Sequence, residues 1–207
     1  MLEVRGITKE YDSLRVLDNV SFILSEGEKL SIRGESGCGK TTLLMIIAGL
    51  TEASRGEILS DGAPMDELPH LRGVSMVFQE STLWNNMTVL ENIIFGSPLK
   101  NSRERKEKAQ HLAESFGIEE LLSRYPYEIS GGQARRASIV RALLAERKIL
   151  LLDEPFSNLD KEWKEKTMER LKGLCAGKCS VLLVTHSEDE AEYFCDRHLF
   201  MEEGRVI

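Results

Sequence analysis

Long apolar segments are missing from this sequence. None of its hydrophobic stretches approaches the ~20 apolar residues that a helix needs to cross a bilayer. The longest, Leu43–Leu50 and Ile149–Leu152, have the length of buried core elements. No basic segment leads into an apolar one at the amino terminus, so no signal peptide is predicted. We therefore expect a chain that is soluble when isolated; if it serves a membrane, it does so as a peripheral subunit at the cytoplasmic face of the plasma membrane, through a partner.

An excess of basic residues is also missing. Lysine and arginine number 27 against 34 aspartates and glutamates, which gives a net charge of −7. Because binding to a phosphate backbone needs clustered cations, this balance argues against a nucleic-acid partner. With 42% hydrophobic and 29% charged residues in 207, the composition is that of a globular domain, or of a core with one inserted lobe.

Cysteines are few, and none suggests a disulfide framework. They are Cys38, Cys175, Cys179 and Cys195. Cys38 lies in a glycine-rich loop, where a disulfide would obstruct a ligand. Cys175 and Cys179 could share a helical face, but Gly173 and Gly177 disfavour a helix there. Two thiols without nearby histidines do not form a zinc site, so we expect reduced cytosolic thiols.

Short apolar strands alternate with helical segments, which predicts an α/β fold. Strands are expected at Leu2–Tyr11, Val16–Leu24, Lys29–Arg33, Gly56–Ser60, Val74–Phe78, Ile149–Leu152 and Val181–Thr185. An apolar helix is expected at Lys40–Gly49. The mostly helical stretch 81–147 interrupts this alternation. It predicts an inserted helical lobe within a core formed by residues 1–80 and 148–207.

A glycine-rich segment between a strand and a helix matches G-x-x-x-x-G-K-[ST]. It comprises Gly34, Glu35, Ser36, Gly37, Cys38, Gly39, Lys40 and Thr41, and Thr42 follows. The glycines allow successive N–H groups to face one anion, and the helix beginning near Lys40 adds its positive end. Lys40 is expected to reach the β- and γ-phosphates of a nucleotide, and the Thr41 hydroxyl to bind Mg²⁺.

A second motif follows the apolar strand near residue 150. The strand places Asp153 at its carboxyl end, the edge at which open α/β sheets bind ligands. Asp153 is expected to hold Mg²⁺ through water. Glu154 comes next and could deprotonate the water that attacks the γ-phosphate.

A third motif, Ser130-Gly131-Gly132-Gln133, lies between the phosphate loop and Asp153. A serine and two glycines that begin a helix can act as a helix cap, or as a second anion site. The order of the three motifs resembles the ABC ATPase family, with Ile129 where its signature often has leucine. The resemblance implies a RecA-like P-loop NTPase core with an N-terminal antiparallel β subdomain and an inserted helical subdomain.

The resemblance extends over nearly the whole chain and implies roles for four more positions. Gln79 resembles the Q-loop glutamine, which contacts the metal and senses the membrane partner. Asp160 ends a segment, Ser157–Asp160, that resembles the D-loop at the dimer interface. His186 resembles the switch histidine that contacts the γ-phosphate, and Tyr11 the aromatic residue that stacks on adenine.

The family resemblance also implies how such a chain works. Two subunits, identical or different, pair head to tail and sandwich two ATP molecules between the P-loop of one and the signature of the other. ATP with Mg²⁺ is hydrolysed, and an integral-membrane permease converts the motion into transport. The set of site residues implied for the nucleotide is Tyr11, residues 34–42, Gln79, residues 130–133 and Asp160; Thr41, Gln79 and Asp153 serve the metal, and Glu154 and His186 catalysis.

Within the family the chain resembles importers, which implies an extracytoplasmic substrate-binding protein as a further partner. The segment Asp153–Asp160, with Phe156 where exporters more often differ, is similar to importers in general. The stretches Phe78–Trp84 and Thr88–Asn92 are similar to importers of nitrate, sulfonate or taurine. Two features depart from the pattern. Arg135 stands where the family often has glutamine, and the chain ends at Ile207, before the C-terminal helices of many relatives.

Three other functions compete with this interpretation. A soluble ABC protein of DNA repair or ribosomes usually has a second ABC domain, a coiled coil or a basic arm, and none is present. A regulatory module that binds ATP without turnover would need neither Glu154 nor His186. A nucleotide kinase or GTPase would not need Ser130-Gly131-Gly132.

Overall fold

The computed structural model describes residues 1–12 and 14–207, and over these residues the chain forms ten strands, arranged in two β-sheets, and six α-helices. The strands are β1 (Leu2–Tyr11), β2 (Leu14–Leu24), β3 (Lys29–Arg33), β4 (Arg55–Ser60), β5 (Ala63–Pro64), β6 (Val74–Val77), β7 (Ile149–Asp153), β8 (Ser180–Val184), β9 (Arg197–Glu202) and β10 (Arg205–Val206). The helices are α1 (Lys40–Ala48), α2 (Val89–Phe95), α3 (Ser102–Ser115), α4 (Gly131–Leu144), α5 (Lys161–Cys175) and α6 (Glu188–Phe194). Short 3₁₀ turns cover Pro69–Leu71, Glu119–Leu121 and Pro126–Glu128.

The larger sheet determines where a ligand site can form. Its strand order is β10-β9-β3-β8-β7-β6, and β9, β3, β8 and β7 pair in parallel. The carboxyl ends of β3, β7 and β8 therefore lie at one edge, where the chain continues into the glycine-rich loop, Glu154 and His186. The smaller sheet is antiparallel, in the order β2-β1-β4-β5. This architecture confirms the predicted fold class.

The core explains why the central strands are continuously apolar. Every residue of β7 and β8 is buried, as expected for parallel strands covered on both faces. Helix α1 is apolar on most of its surface and is largely buried. It ends at Gly49, which has φ of +78° and donates its N–H to the Ile46 carbonyl, while Leu50 donates to Met45. This is the Schellman arrangement of a helix end.

The described residues form two compact units whose boundaries differ from the prediction. One unit comprises residues 1–76, 148–154 and 175–207, and the other residues 77–147 and 155–174. Residues 155–174, which we assigned to the core, thus cluster with the helical segment. The physical reason lies in contacts that are distant in sequence, above all the packing of Trp163 against Arg136 and Gly117.

As the sequence indicated, no helix spans both Cys175 and Cys179, but Gly173 does not stop the helix before Cys175. Helix α5 continues through Gly173 to Cys175. Met168, Leu171 and Cys175 are buried at helical spacing, so packing outweighs the low helix propensity of glycine. The helix does end before Gly177, which has φ of +65°. Among residues 1–12 and 14–207, no helix is both long and apolar enough to span a bilayer.

Candidate active site

The segment between β3 and α1 is a tight turn that depends on glycine. Gly34, Gly37 and Gly39 have φ values of +154°, +85° and +104°, which L side chains rarely adopt. A Cβ atom on Gly34 would lie 2.1 Å from the Met201 carbonyl oxygen, and one on Gly39 2.7 Å from that of Val16. Close approach of other backbone therefore requires glycine at positions 34 and 39.

Lys40 lies inside this loop. Its Nζ donates to the carbonyl oxygens of Gly34 at 2.8 Å and Glu35 at 2.7 Å, and the residue is only 6% exposed. Lys40 also begins α1, whose first turn contains no acidic residue to offset the positive end of the helix dipole. An ammonium group and a helix amino terminus in one glycine loop fit a phosphate ligand. Thr41 and Thr42 follow, both half-buried.

Asp153 and Glu154 occupy the edge of the sheet, as their position after an apolar strand predicts. Asp153 is the last residue of β7 and is buried. Glu154 has φ of +44°, and its N–H donates to the Val184 carbonyl at 2.9 Å. A non-glycine residue at positive φ costs about 1–2 kcal/mol, and such positions cluster at functional sites. A carboxylate at the end of a buried strand is a suitable ligand for Mg²⁺, directly or through water.

The structure brings His186 and Glu154 together. The His186 Nδ1 atom lies 3.1 Å from Glu154 Oε1, and since the carboxylate accepts, the ring donates from Nδ1. The His186 side chain is 65% exposed and that of Glu154 16%. The turn that carries His186 is held by Ser187, whose N–H donates to Thr185 Oγ1 and whose side chain caps α6. An exposed imidazole is therefore coupled to a half-buried carboxylate at the strand edge.

The amino terminus of α4, in the second unit, has the geometry of a capping box. Ser130 Oγ accepts from the Gln133 N–H at 3.3 Å, and Gln133 Oε1 accepts from the Ser130 N–H at 2.8 Å. Gly131 and Gly132 form the first turn, which contains no acidic residue. Both alternatives from the sequence, a helix cap and an anion site, are compatible with this geometry, because an uncompensated helix amino terminus attracts anions.

Comparisons with known proteins agree with these motifs. A family model described as ABC transporter matches residues 17–157, more than half of the chain. The sulfate/thiosulfate import ATP-binding protein CysA of Bordetella parapertussis is 38% identical over 213 residues, which cover 99% of this chain and 60% of CysA. The putrescine transport ATP-binding protein PotG of Escherichia coli is 36% identical over 219 residues, covering 100% and 56%. The chain thus spans somewhat under two thirds of the length of these relatives.

Among solved structures, the chain is similar to the ATP-binding cassette MJ0796 in a dimeric post-hydrolysis state bound to ADP and Pi. The TM-score is 0.91 at 33% identity, over 100% of this chain and 96% of that one. The chain belongs to the ABC transporter family. It is an ATP-binding cassette, the ATPase domain of that family, whose nucleotide is ATP and whose usual ion is Mg²⁺.

The family resemblance implies contacts with nucleotide or metal for three further residues, and the structure shows where each of them lies. Tyr11 ends β1, is exposed, and has Lys9 Nζ 4.6 Å from its ring centroid. Gln79 is exposed and comes soon after β6. Asp160 Oδ1 accepts from the Trp163 N–H at 3.0 Å and so caps α5. Their contacts with nucleotide or metal stay predictions.

Arg135, the departure within the signature helix, is buried and makes specific contacts. Its guanidinium donates to the Phe78 carbonyl and, at 3.4 Å, to Ser157 Oγ. It therefore links α4 to the segment before Gln79 and to the start of the segment that resembles the D-loop, all within the second unit. A glutamine side chain is shorter and has fewer donors, so this chain uses the arginine for contacts that glutamine could not make in the same way.

Two interactions near the motifs were not predicted from the sequence. Arg33, the last residue of β3, donates to Glu188 of α6 at 2.6 Å and lowers the pKa of that carboxyl. In the second unit, the Arg136 guanidinium lies 3.7 Å from the centroid of the Trp163 ring. Neither pair is close in sequence, so no local pattern could have indicated it.

Proposed function

We propose that this chain is the ATP-hydrolysing subunit that energises a membrane transporter of the importer type. The arrangement that carries the proposal is Lys40 in its glycine loop together with the Glu154–His186 pair in the same unit. The names of CysA and PotG, an import and a transport ATP-binding protein, support the transport role. An ATPase of this kind acts at the cytoplasmic face of the membrane, with a permease and an extracytoplasmic substrate-binding protein as partners.

The transported solute does not follow from the likeness of the cassette to its relatives. CysA and PotG are named for sulfate or thiosulfate and for putrescine, an anion and a cation, yet they are 38% and 36% identical to this chain. Likeness of the cassette therefore does not distinguish solutes. The nitrate, sulfonate or taurine likeness of residues 78–92 stays a prediction, and a small solute is the class we propose.

The functional form we propose is a dimer, with itself or with another cassette. The MJ0796 structure is named as dimeric, with ADP and Pi bound. Each chain would offer two anion sites, the Lys40 loop in one unit and the Ser130 helix end in the other. In a head-to-tail dimer the loop of one chain and the helix end of its partner would hold the same nucleotide, so neither chain could close a site alone.

In the bound state, Lys40, Thr41 and Asp153 would hold the phosphates and the metal ion. The Lys40 ammonium, which is already buried in the loop, would neutralise negative charge on the β- and γ-phosphates. The Thr41 hydroxyl and the Asp153 carboxylate would hold Mg²⁺ together with the phosphates and water. When bound, that ion supplies positive charge that stabilises the negative charge shared by the phosphate oxygens.

Glu154 and His186 would perform the chemical step. Glu154 orients and deprotonates the attacking water, and removal of a positioned base typically costs ~10²–10⁴-fold in rate. His186 donates to Glu154 Oε1 and thereby fixes the direction of the carboxylate. It is a positioning residue in this geometry, and its exposed ring is also available to the γ-phosphate, as the family resemblance implies.

The test separates binding from hydrolysis. Glu154→Gln should bind Mg-ATP at least as well as the parent, because one negative charge near the γ-phosphate is lost, while single-turnover hydrolysis falls at least ~10²-fold. Dimer should then accumulate with ATP, seen by size-exclusion chromatography. Glu52→Gln, an exposed carboxylate outside the site, is the matched control. Unchanged hydrolysis in Glu154→Gln would remove Glu154 from this role, and absent turnover in the parent with its permease would favour an ATP-binding regulatory module.

The second unit offers a surface for the permease. Trp84 and Phe95 are 42% and 62% exposed, and their ring centroids are 4.6 Å apart. The buried Asn92 side chain accepts from the Trp84 N–H and donates to the carbonyls of Trp84, Met87 and Thr88. The loop that presents Trp84 is therefore preorganised, which lowers the entropic cost of docking a permease loop.

Site-specific photocross-linking tests this surface. A benzoylphenylalanine at position 84 should capture the permease in membranes of the source organism, whereas the same probe at Ile23, exposed on β2, should not. Capture from position 23 but not from position 84 would refute the docking surface without affecting the ATPase assignment.

A further inference from the structure

Two cysteines that the proposed function does not use lie together where α5 leads into β8. Cys175 is the last residue of α5 and is fully buried, and Cys179 is half-buried directly before β8. The Cys179 N–H donates to the Cys175 carbonyl at 3.3 Å. A turn closed in this way separates its two Cα atoms by about 6 Å, within the roughly 4.4–6.8 Å that a disulfide spans.

The two thiols are not equivalent. Their side chains share a hydrogen bond. This bond and burial raise the pKa of Cys175, whereas the same bond lowers the pKa of Cys179. The cations of Lys29 and Lys178 also favour the thiolate of Cys179. Cys179 is thus the more accessible and the more acidic sulfur. Its partner Cys175 is held beside it and shielded from solvent.

The other two cysteines lie in different parts of the fold. Cys38 belongs to the phosphate loop, 3.6 Å from Lys40 Nζ, and Cys195 is buried at the end of α6. Over residues 1–12 and 14–207, no disulfide joins any of the four. The pair at 175 and 179 therefore combines a half-buried, cation-stabilised thiol with a second, buried thiol in contact.

We propose that Cys175 and Cys179 are a redox-modification site that a hydroperoxide converts to an intramolecular disulfide. The Cys179 thiolate attacks one peroxide oxygen, the O–O bond breaks, and hydroxide leaves, so that Cys179 becomes a sulfenic acid. The Cys175 sulfur then attacks the Cys179 sulfur, its proton going to the departing oxygen, and water leaves. In sum two thiols and one hydrogen peroxide give one disulfide and two waters, with the dithiol oxidised and the peroxide reduced by two electrons.

Peptide mapping of the full chain by mass spectrometry tests the proposal. Trypsin cuts after Lys178, between the two cysteines, so a disulfide between them joins two separate peptides. After hydrogen peroxide treatment and alkylation, the peptides 173–178 and 179–197 should appear as one linked species that dithiothreitol separates. Since peptide 179–197 also contains Cys195, the experiment is repeated in Cys195→Ser, where Cys179 is its only thiol. Linkage that vanishes in Cys195→Ser, or that joins Cys38, would overturn the assignment.

A trapping experiment tests the order of the steps. In Cys175→Ala, checked for folding by circular dichroism, dimedone should label Cys179 as the sulfenic acid, because the thiol that would displace the oxygen is gone. In the parent chain, disulfide formation should be faster in the folded protein than in urea, since folding positions Lys29 and both thiols. Equal rates in the two states, or a pair that stays reduced while Cys38 is oxidised, would show that the fold does not activate this site.

Discussion

Gly117 offers the sharpest test of the packing inside the second unit. It follows α3, has φ of +59°, and a Cβ atom there would lie 2.2 Å from Cη2 of the Trp163 ring. The same ring stacks on the Arg136 guanidinium, which also donates to the carbonyls of Phe116 and Gly117. Gly117→Ala therefore must either displace the ring or move the backbone that binds Arg136.

The expected loss of stability has two parts. A left-handed backbone angle costs alanine about 1–2 kcal/mol, and forcing a methyl group into the ring adds about 1–3 kcal/mol by overpacking. Gly177→Ala is the matched control, since Gly177 has φ of +65° but no atom within 4 Å of the added Cβ. We expect Gly117→Ala to exceed this control by about 1–3 kcal/mol, or ~2–4 °C in Tm per kcal/mol for a chain of this size.

A double-mutant cycle tests whether the extra loss of stability in Gly117→Ala comes from the Trp163 ring. In Trp163→Leu, which removes the atoms that the methyl group would meet, Gly117→Ala should cost no more than Gly177→Ala does in the parent. Urea unfolding followed by circular dichroism measures each variant. If Gly117→Ala costs no more than the control, or if its cost is the same with leucine at 163, the Trp163 packing is not what makes glycine necessary.

Three more predictions concern the nucleotide sites and their surroundings. Lys40→Ala should sharply weaken ATP binding because the loop loses its buried cation, and parent-like affinity by equilibrium titration would contradict the phosphate-site assignment. Ser130→Arg should leave ATP binding by the monomer nearly intact but block dimer formation and turnover, whereas lost binding in the monomer would indicate a role within the same chain. Arg33→Gln should raise the pKa of Glu188 towards its ordinary value, measured by NMR titration, because the arginine hydrogen bond lowers it. In the parent this pair stabilises the fold above the ordinary glutamate pKa and loses that effect as pH falls through the lowered value, and an unchanged Glu188 pKa in the variant would refute the coupling.

Local chemistry explains which features the sequence predicted well. The glycine loop, the strand before it and α1 follow from adjacent residues, because positive φ and an apolar run are local requirements. The Glu154–His186 pair follows less directly, from two strands that end at one sheet edge. The clustering of residues 155–174 with the helical segment is not readable from local sequence, since contacts such as that of Trp163 with Arg136 join residues 27 positions apart. The continuation of α5 through Gly173 was missed because burial of Leu171 and Cys175, not propensity, decides it.

Three side-chain interactions lie outside the phosphate loop, the Glu154 strand edge and the Ser130 cap. The roles we propose for those three sites depend on the chemistry of ATP, which would be the same for any transported solute. Trp163 beneath Arg136, Arg33 on Glu188 and the Cys175–Cys179 pair lie on or beside α4, β3 and β8. Helix α4 begins at the Ser130 cap, β3 leads into the phosphate loop, and β8 pairs with the strand that ends before Glu154. Substitutions at these positions should therefore change stability, coupling or redox response while the nucleotide contacts stay intact. Kinetic effects confined to the rate of ATP hydrolysis by the isolated chain, with unchanged stability, would contradict this separation.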